Sequence, residues 1–283
     1  MSKFFNETLK TQNPILPERG FQLAGLQDTV ARDEQPDLRA VELEPSPPEV
    51  DQVKKIDIPE SMLLPRKFEG SHSLQSAEEA YRALRTRLFR LSSTRDLRSI
   101  IVTSSVPGEG KTLTSFNLAL CCSQLKDTRV LLIDGDIRTG GLTRALGSTS
   151  SPGLADILSG RCDAEFAVFE TNHPNLHVCG AGSTTLSPAE LYAGRRWQEF
   201  VAWCRESFHL ALVDSPPIMT LSDVELMTAA CDGVLLAVRA RHTRRDVLQK
   251  FASQIDAKKL LGIVYNFSEG PHNEYHYSGK KER

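Results

Sequence analysis

Residues 99–112 constrain the fold of this chain more than any other stretch. They open with a β-branched run, 99–103, which contains no glycine or proline and is typical of a buried parallel strand. A glycine-rich turn follows, and from Leu113 onward the pattern is that of an amphipathic helix. Strand, glycine loop, Lys-Thr and helix form a phosphate cradle, because backbone N–H groups and a helix N-terminus converge on polyphosphate oxygens. The stretch therefore predicts a nucleoside triphosphate site.

Two side chains of this loop have the chemistry that a magnesium nucleotide requires. Lys111 is expected to neutralise charge on the β- and γ-phosphates, and the Thr112 hydroxyl is expected to ligate Mg²⁺. Ser105 occupies the first glycine position of GxxxxGK[ST], and the alternative is a glycine-rich loop that binds nothing. The loop residues predicted to bind ATP are Ser105, Val106, Pro107, Gly108, Glu109, Gly110, Lys111, Thr112 and Leu113.

From residue 98 onward, strand-like and helix-like segments alternate along the chain. The strand-like runs are 99–103, 129–133, 176–179, 209–213, 233–238 and 260–265, and the helical patterns are 111–125, 188–205, 221–230 and 243–255. Repeated β–α alternation predicts an α/β fold, a doubly wound, mostly parallel sheet with helices on both faces, as in P-loop NTPases. Because ligands of such sheets bind beyond the carboxyl ends of the strands, we expect the chemistry directly after each strand.

Three carboxylates lie where predicted strands end. Asp134 and Asp136 follow the run 129–133, and Asp214 follows the run 209–213. Facing a phosphate cradle, such carboxylates hold Mg²⁺ and its waters, so Asp136 and Asp214 are predicted to bind the metal together with Thr112. The alternative is that each aspartate only caps the next helix. Three of them on two strands, in a chain with a phosphate loop, favour the metal site.

The composition of the chain argues against some classes of binding partner and some cellular compartments, and it therefore restricts the function classes that we expect. The 283-residue chain has a net charge of −2, which predicts no nucleic-acid partner and no global attraction to anionic lipid. Its six cysteines include no C-x-x-C pair, as expected for buried thiols in a reducing cytoplasm rather than disulfides or zinc ligands. Charges among the first residues and the lack of an apolar run of about 18 residues predict neither a secretory leader nor a membrane span. Any membrane role is expected to pass through a partner.

Residues 1–70 are rich in proline and in acidic side chains. Proline at this density breaks helix and strand patterns, which predicts a disordered tether. A short helix at residues 2–10 is either a docking peptide or a frayed end. We expect an ordered P-loop domain over residues 71–267 and a flexible tail over residues 268–283.

The first ordered helix is expected to begin at Ser76, where Ser76 and Glu79 form a capping box. Glu79, Arg82 and Arg85 then recur every three residues along one side of this helix. On spacing alone, this row is either a solvated face with weak i,i+3 pairs or an interface with a neighbouring subunit.

Together these motifs resemble those of the bacterial tyrosine kinases (BY-kinases) of capsule and exopolysaccharide synthesis, which belong to the deviant P-loop ATPases. The loop at 103–112 is similar to their first Walker motif, Asp-Gly-Asp-Ile-Arg at 134–138 to their additional Walker motif, and Val-Asp-Ser-Pro-Pro at 213–217 to their Walker B motif. Val106 stands where the cell-division-site and partition ATPases carry a signature lysine, which argues against that branch. The resemblance extends from residue 76 to residue 267.

The resemblance implies ATP and Mg²⁺ as cofactors and protein-tyrosine phosphorylation as the activity, with Lys111, Asp134, Asp136 and Asp214 as catalytic residues. Asp134 is expected to orient the attacking tyrosine hydroxyl. Because a carboxylate near Mg²⁺ is a weak base, orientation should matter more than proton removal. Asn266, just past the last strand, is expected to read the edge of the adenine, with a helix or turn cap as the alternative.

Partners are also implied by the resemblance. Glu79, Arg82 and Arg85 match the family's E-x-x-R-x-x-R oligomerisation motif, which favours a ring-like homo-oligomer over a solvated face. An inner-membrane polysaccharide co-polymerase, or chain-length determinant, is the expected partner, and it would hold the protein at the inner face of the cell membrane. A tyrosine phosphatase is a further candidate partner.

Two features depart from the family pattern. Gly140 stands where the family usually has proline, and the C-terminal tyrosine cluster that these kinases phosphorylate on one another is reduced to Tyr275 and Tyr277. These two tyrosines are the predicted phosphoacceptors. The thin cluster keeps a second interpretation open, a regulatory ATPase that signals by nucleotide-dependent assembly without phosphorylating tyrosine.

Overall fold

The computed structural model describes residues 55–63, 72–147, 152–220 and 223–267. Its α-helices are α1 (His72–Ser92), α2 (Lys111–Ser123), α3 (Gly141–Ala145), α4 (Leu154–Ser159), α5 (Ala164–Ala167), α6 (Pro188–Ala193), α7 (Arg195–Ser207), α8 (Asp223–Ala230) and α9 (Arg245–Ala252). Its strands are β1 (Ser99–Ser104), β2 (Val130–Asp134), β3 (Phe169–Glu170), β4 (Leu176–Cys179), β5 (Leu210–Asp214), β6 (Gly233–Arg239) and β7 (Leu260–Asn266).

The strands form one sheet in the order β3-β4-β2-β5-β1-β6-β7. Every neighbouring pair is parallel except β3 and β4. Parallel neighbours need crossover connections, and the helices between the strands provide them. The predicted doubly wound, mostly parallel α/β sheet is confirmed, and the carboxyl ends of β1, β2 and β5 meet at one edge.

The core consists of two main layers, one on each face of the sheet. Ile101 of β1 packs in one layer with Trp197 of α7, whereas Val102 packs in the other with Phe116 of α2. Because successive side chains of a strand point to opposite faces, a single buried strand contributes to both layers. This explains why the central strands are apolar along their whole length rather than alternating with polar residues.

Several predicted boundaries are wrong. The helix predicted over 188–205 is two helices, α6 and α7, separated at Gly194, whose ψ of 156° is extended. The helix predicted over 243–255 is shorter at both ends, and α2 ends at Ser123. The elements α3, α4, α5 and β3 were not predicted, because segments of two to six residues show too little periodicity to be recognised. Helix α1 begins at His72, so the predicted start of this helix at Ser76 is wrong.

The tether prediction is wrong for residues 55–63. Ile56 forms a parallel bridge with Thr171 and donates its N–H to the carbonyl of Glu170 at 2.9 Å. Ile58 is 4% exposed and packs in the layer that contains α1 and α2. Burial of Ile58 favours this ordered segment, and Pro59 keeps its extended conformation in it, with φ −64° and ψ 142°. The rest of the predicted tether, including the helix at residues 2–10, lies outside the described residues.

All six thiols are free, and five of them are buried. No helix in the part of the chain that the structure describes is both long enough and apolar enough to cross a lipid bilayer.

Candidate active site

The phosphate loop, defined here as residues 105–110, joins the end of β1 to the first residue of α2. Gly108 and Gly110 have φ angles of 81° and 86°, in the left-handed region that residues with a side chain rarely adopt. A Cβ on Gly110 would also lie 2.7 Å from Nδ2 of Asn266. Ser105 does not have a positive φ, so a side chain is tolerated in place of the first glycine.

The other loop side chains differ in exposure. Pro107 and Leu113 are exposed, whereas Glu109 is fully buried. The carboxylate of Glu109 accepts a hydrogen bond from the N–H of Val106 at 2.9 Å. Glu109 therefore stabilises the loop from its buried side, whereas Pro107 and Gly108 at the tip of the loop are exposed.

Asp214, at the end of β5, accepts hydrogen bonds from two hydroxyl groups near the start of α2. Thr112 Oγ1 donates to Oδ2 at 2.7 Å, and Ser115 Oγ donates to Oδ1 at 3.1 Å. Burial raises the pKa of Asp214 to about 7, although the charge of Lys111 and the two hydroxyl groups act in the opposite direction. Thr112 and Ser115 are three residues apart and share one side of α2, which is how both reach the same carboxylate.

Asp134 lies directly opposite Asp214 in the register of β2 and β5. It is completely buried, and its Oδ2 accepts the N–H and the hydroxyl of Thr143, each at 2.7 Å. Its Oδ1 accepts the N–H of Asp136 at 3.2 Å. Burial raises the pKa of Asp134, and these hydrogen bonds oppose the shift. Three of the roughly four acceptor positions of this carboxylate are thus occupied, and the remaining position is on Oδ1.

Asp136 differs from the other two aspartates in that it is 6% exposed at the start of the turn after β2. Its Oδ1 accepts the N–H of Thr139 at 3.2 Å. The backbone carbonyl of Asp136 also accepts the N–H of Gly140 at 2.7 Å, and Gly140 has a φ of 55°. The glycine that replaces the family's proline therefore closes a tight turn in which it donates a hydrogen bond that proline could not.

The side chains at this edge fit a magnesium nucleotide. A threonine hydroxyl and carboxylate oxygens are hard ligands of the kind that Mg²⁺ prefers, and a divalent cation would offset the negative charge whose burial raises the pKa of Asp214. Within residues 55–63, 72–147, 152–220 and 223–267, no three acids, histidines or cysteines cluster closely enough to hold a metal by themselves. Mg²⁺ usually has only one or two protein carboxylates and completes its shell with phosphates and water.

Asn266 contacts the phosphate loop rather than open space. Its Nδ2 donates to the carbonyl of Glu109 at 2.8 Å and to Thr114 Oγ1 at 3.0 Å. Both amide hydrogens are therefore engaged, as in the alternative interpretation of Asn266 as a turn cap. That Asn266 reads adenine stays a prediction.

Sequence reasoning missed three contacts that shape the turn after β2. Arg138 Nε donates to the buried Asp223 at 3.2 Å, and the hydroxyl of Tyr192 donates to the carbonyl of Gly135 at 2.7 Å. Thr143, which holds Asp134, also accepts the N–H of Ala181 at 2.8 Å. An acidic residue at the start of α8 was a visible signal for Asp223, but it predicts a helix cap equally well.

The three predicted oligomerisation residues on α1 differ in exposure and in the groups that they contact. Glu79 is exposed, and Arg82 is exposed and pairs with Glu78 at 3.1 Å. Arg85 is half-buried and donates to the carbonyl of Cys121, in the last turns of α2, at 2.6 Å. Arg85 thus binds its own chain, whereas Glu79 and Arg82 face outward. Tyr275 and Tyr277, the predicted phosphoacceptors, lie outside the described residues.

The chain is similar to proteins of known class. No model of an established protein family matches it. The tyrosine-protein kinase YwqD of Bacillus subtilis is 31% identical over 207 residues, which cover 72% of this chain and 87% of YwqD. The tyrosine-protein kinase CpsD of Streptococcus pneumoniae serotype 4 is 33% identical over 205 residues, which cover 71% of this chain and 89% of CpsD.

A solved structure supports the same assignment. The BceF tyrosine kinase domain superposes with a TM-score of 0.60 at 28% identity, covering 66% of this chain and 76% of the BceF chain. The similarity thus covers 66–72% of this chain and 76–89% of the length of each relative. This chain belongs to the bacterial tyrosine kinases, and protein-tyrosine kinase activity is the activity of that family.

Proposed function

We propose that this chain is an ATP- and Mg²⁺-dependent protein-tyrosine autokinase whose site is formed by the phosphate loop, Asp134, Asp136 and Asp214. The observation that carries the proposal is the 2.7 Å hydrogen bond from Thr112 to Asp214, directly beside Lys111. This contact joins a hydroxyl to a strand-end carboxylate, next in sequence to a lysine, which is the combination that the proposed binding of Mg²⁺ and phosphate requires. Membership in the kinase family favours this function over a regulatory ATPase that does not phosphorylate tyrosine.

The residues of the chain have distinct tasks in the proposed reaction. The loop N–H groups and Lys111 bind the β- and γ-phosphates and stabilise the negative charge of the transition state. Thr112, Asp136 and Asp214 would hold Mg²⁺, directly or through water, and the bound metal would neutralise charge on the transferring phosphoryl group. Asp134 offers its remaining Oδ1 position to orient a tyrosine hydroxyl. The phenolic oxygen then bonds to the γ-phosphorus while the bond from that phosphorus to the β,γ-bridging oxygen breaks. ADP leaves with the electron pair of that bond, and the phenolic proton passes to a phosphate oxygen.

The test of this function is phosphotyrosine formation by the purified full-length chain with Mg-ATP. Anti-phosphotyrosine signal that appears with Mg-ATP and is abolished by EDTA is the expected result. ATP hydrolysis without any such signal, also in the presence of the membrane partner's cytosolic segment, would establish the regulatory ATPase instead.

We expect the phosphotyrosine to lie in the tail. The double variant Tyr275→Phe, Tyr277→Phe should lose most of the phosphotyrosine signal and keep ATP hydrolysis, because these two tyrosines resemble a reduced form of the C-terminal cluster that the BY-kinases phosphorylate on one another. Tyr265→Phe is the matched control, since Tyr265 is 58% exposed on β7 just before the tail. An unchanged signal in the double variant would place the acceptors elsewhere.

Subunit assembly is proposed to use the outward residues of α1. Arg82→Ala should shift the protein toward monomers in sedimentation and leave the free energy of unfolding nearly unchanged, since an exposed ion pair contributes little. Arg85→Ala should instead lower the free energy of unfolding by about 1 kcal/mol, because Cys121 loses a hydrogen bond. Sedimentation and urea unfolding of both variants distinguish these effects, and a wild-type protein that is always monomeric contradicts the interface.

We further propose a cytoplasmic role in capsule or exopolysaccharide synthesis, at the inner face of the membrane, with a polysaccharide co-polymerase as activator. Support comes from the motifs that resemble those of the BY-kinases and from membership in that family. The expected result is that the purified chain binds the cytosolic segment of such a co-polymerase and that its phosphotyrosine formation increases on binding.

A further inference from the structure

The buried carboxylate of Glu109 is anchored from outside the phosphate loop. Besides the N–H of Val106, it accepts a hydrogen bond from the hydroxyl of Thr243, which lies in the connection between β6 and α9. Each carboxylate oxygen of Glu109 therefore has one donor, one from the loop itself and one from a segment 134 residues later in the sequence.

The connection that carries Thr243 is itself fixed to the sheet. The N–H of Thr243 donates to the carbonyl of Arg239 at 3.1 Å, and the N–H of Ala240 donates to the carbonyl of Asn266 at 2.9 Å. Asn266 in turn holds the backbone carbonyl of Glu109 at 2.8 Å. The side chain and the backbone of one loop residue are thus tied to the ends of β6 and β7.

From these contacts we infer that Thr243 is a positioning residue, which holds the phosphate loop in its nucleotide-binding conformation through Glu109. The inference rests on the proposed ATP site. A loop whose two glycines have positive φ has many alternative conformations, and only those with converging N–H groups bind phosphate. A hydrogen bond to a buried carboxylate is one of the stronger constraints available, because an unsatisfied charged oxygen in the interior is unfavourable.

The consequence concerns nucleotide affinity rather than the chemical step. If the binding-competent conformation is less populated, the apparent Kd rises by the same factor. Once nucleotide is bound, its phosphates order the loop, so turnover at saturating Mg-ATP should change little. The hydrogen bonds of Thr243 join it to Glu109 and Arg239 rather than to Lys111 or the aspartates, which agrees with an effect on KM rather than on kcat.

The experiment compares Mg-ADP binding and ATPase kinetics in full-length variants. Thr243→Val keeps the shape of the side chain but removes the hydroxyl, and it should weaken Mg-ADP binding by roughly tenfold and raise the KM for ATP similarly, with kcat within about twofold. Thr243→Ser keeps the hydroxyl and should restore wild-type affinity. Thr128→Val is the control, because the Thr128 hydroxyl bonds the carbonyl of Lys126, just before β2 and at the opposite end of the sheet from the phosphate loop.

Each outcome decides between positioning and plain structural support. Equal Mg-ADP affinity in Thr243→Val and wild type overturns the inference and leaves the ATP site intact. The same holds if Thr243→Val has a lower melting temperature but wild-type affinity, because Thr243 then only stabilises the fold. No Mg-ADP binding by wild type overturns the ATP site and the inference together. If Thr243→Val does not fold, Glu109→Gln tests the same link from the other side: weaker Mg-ADP binding than in wild type is expected, and wild-type affinity overturns the inference.

Discussion

Lys111→Met should reduce ATP turnover and phosphotyrosine formation by about 10²–10³-fold while the fold persists. Lys111 is the first residue of α2, and its charge acts on Asp214 at the end of β5. In a loose phosphoryl-transfer transition state, negative charge builds up on oxygens that this ammonium group would stabilise. Methionine keeps much of the length of the side chain, so the loss reports the charge and not a cavity.

The control for this prediction is Lys126→Met, which removes a lysine from the exposed turn after α2. It should turn over ATP like wild type, with the same far-ultraviolet circular dichroism and melting temperature as Lys111→Met. A folded Lys111→Met protein with wild-type kcat would contradict the assignment of this loop to phosphate binding.

Asp214→Asn should lower Mg-dependent turnover by about 10²-fold or more, because a neutral amide replaces a charged metal ligand. The fold should persist, since the hydroxyl groups of Thr112 and Ser115 can accept as well as donate hydrogen bonds. Asp163→Asn changes an exposed aspartate and serves as the control. Undiminished turnover in Asp214→Asn, titrated with Mg²⁺, would remove this carboxylate from the metal site.

The same variant should change how stability depends on pH. Burial raises the pKa of Asp214 from its ordinary value of 3.8 to about 7, so the folded state binds the proton more tightly than the unfolded state. The stabilisation that this tighter proton binding gives the folded state is fully present below pH 4, and it is lost as the pH rises to 7 and above. Asparagine does not titrate, so the free energy of unfolding of Asp214→Asn does not fall for this reason as the pH rises. Urea unfolding without nucleotide should therefore show Asp214→Asn more stable than wild type at pH 8, with a smaller difference at pH 5.

An identical pH dependence in both proteins would mean that Asp214 is charged throughout this range. Addition of Mg-ADP should reverse the order at pH 8, because only the wild-type carboxylate gains a metal ion on binding. Asp214, the proposed metal ligand, would thus destabilise the nucleotide-free protein at neutral pH.

The sequence by itself predicted the parallel strands of the sheet and the position of the candidate site residues at the ends of those strands. The buried runs before Ser105, Asp134 and Asp214 predicted parallel strands, and parallel strands bring their carboxyl ends to one edge. Local patterns specify these features, since the glycine loop, the lysine and the strand-end acids are each recognisable within about ten residues.

Contacts between distant segments were decided only by the tertiary structure. Thr143 on Asp134, Arg138 on Asp223 and Thr243 on Glu109 pair side chains that are 9, 85 and 134 residues apart. Serine, threonine and arginine are common on solvated surfaces, so nothing in their local sequence indicates a buried carboxylate as partner. Residues 55–63 show the same limit, because the surface that covers Ile58 exists only once the sheet and α1 have formed. Packing partners that are absent from the local sequence cannot be inferred from it.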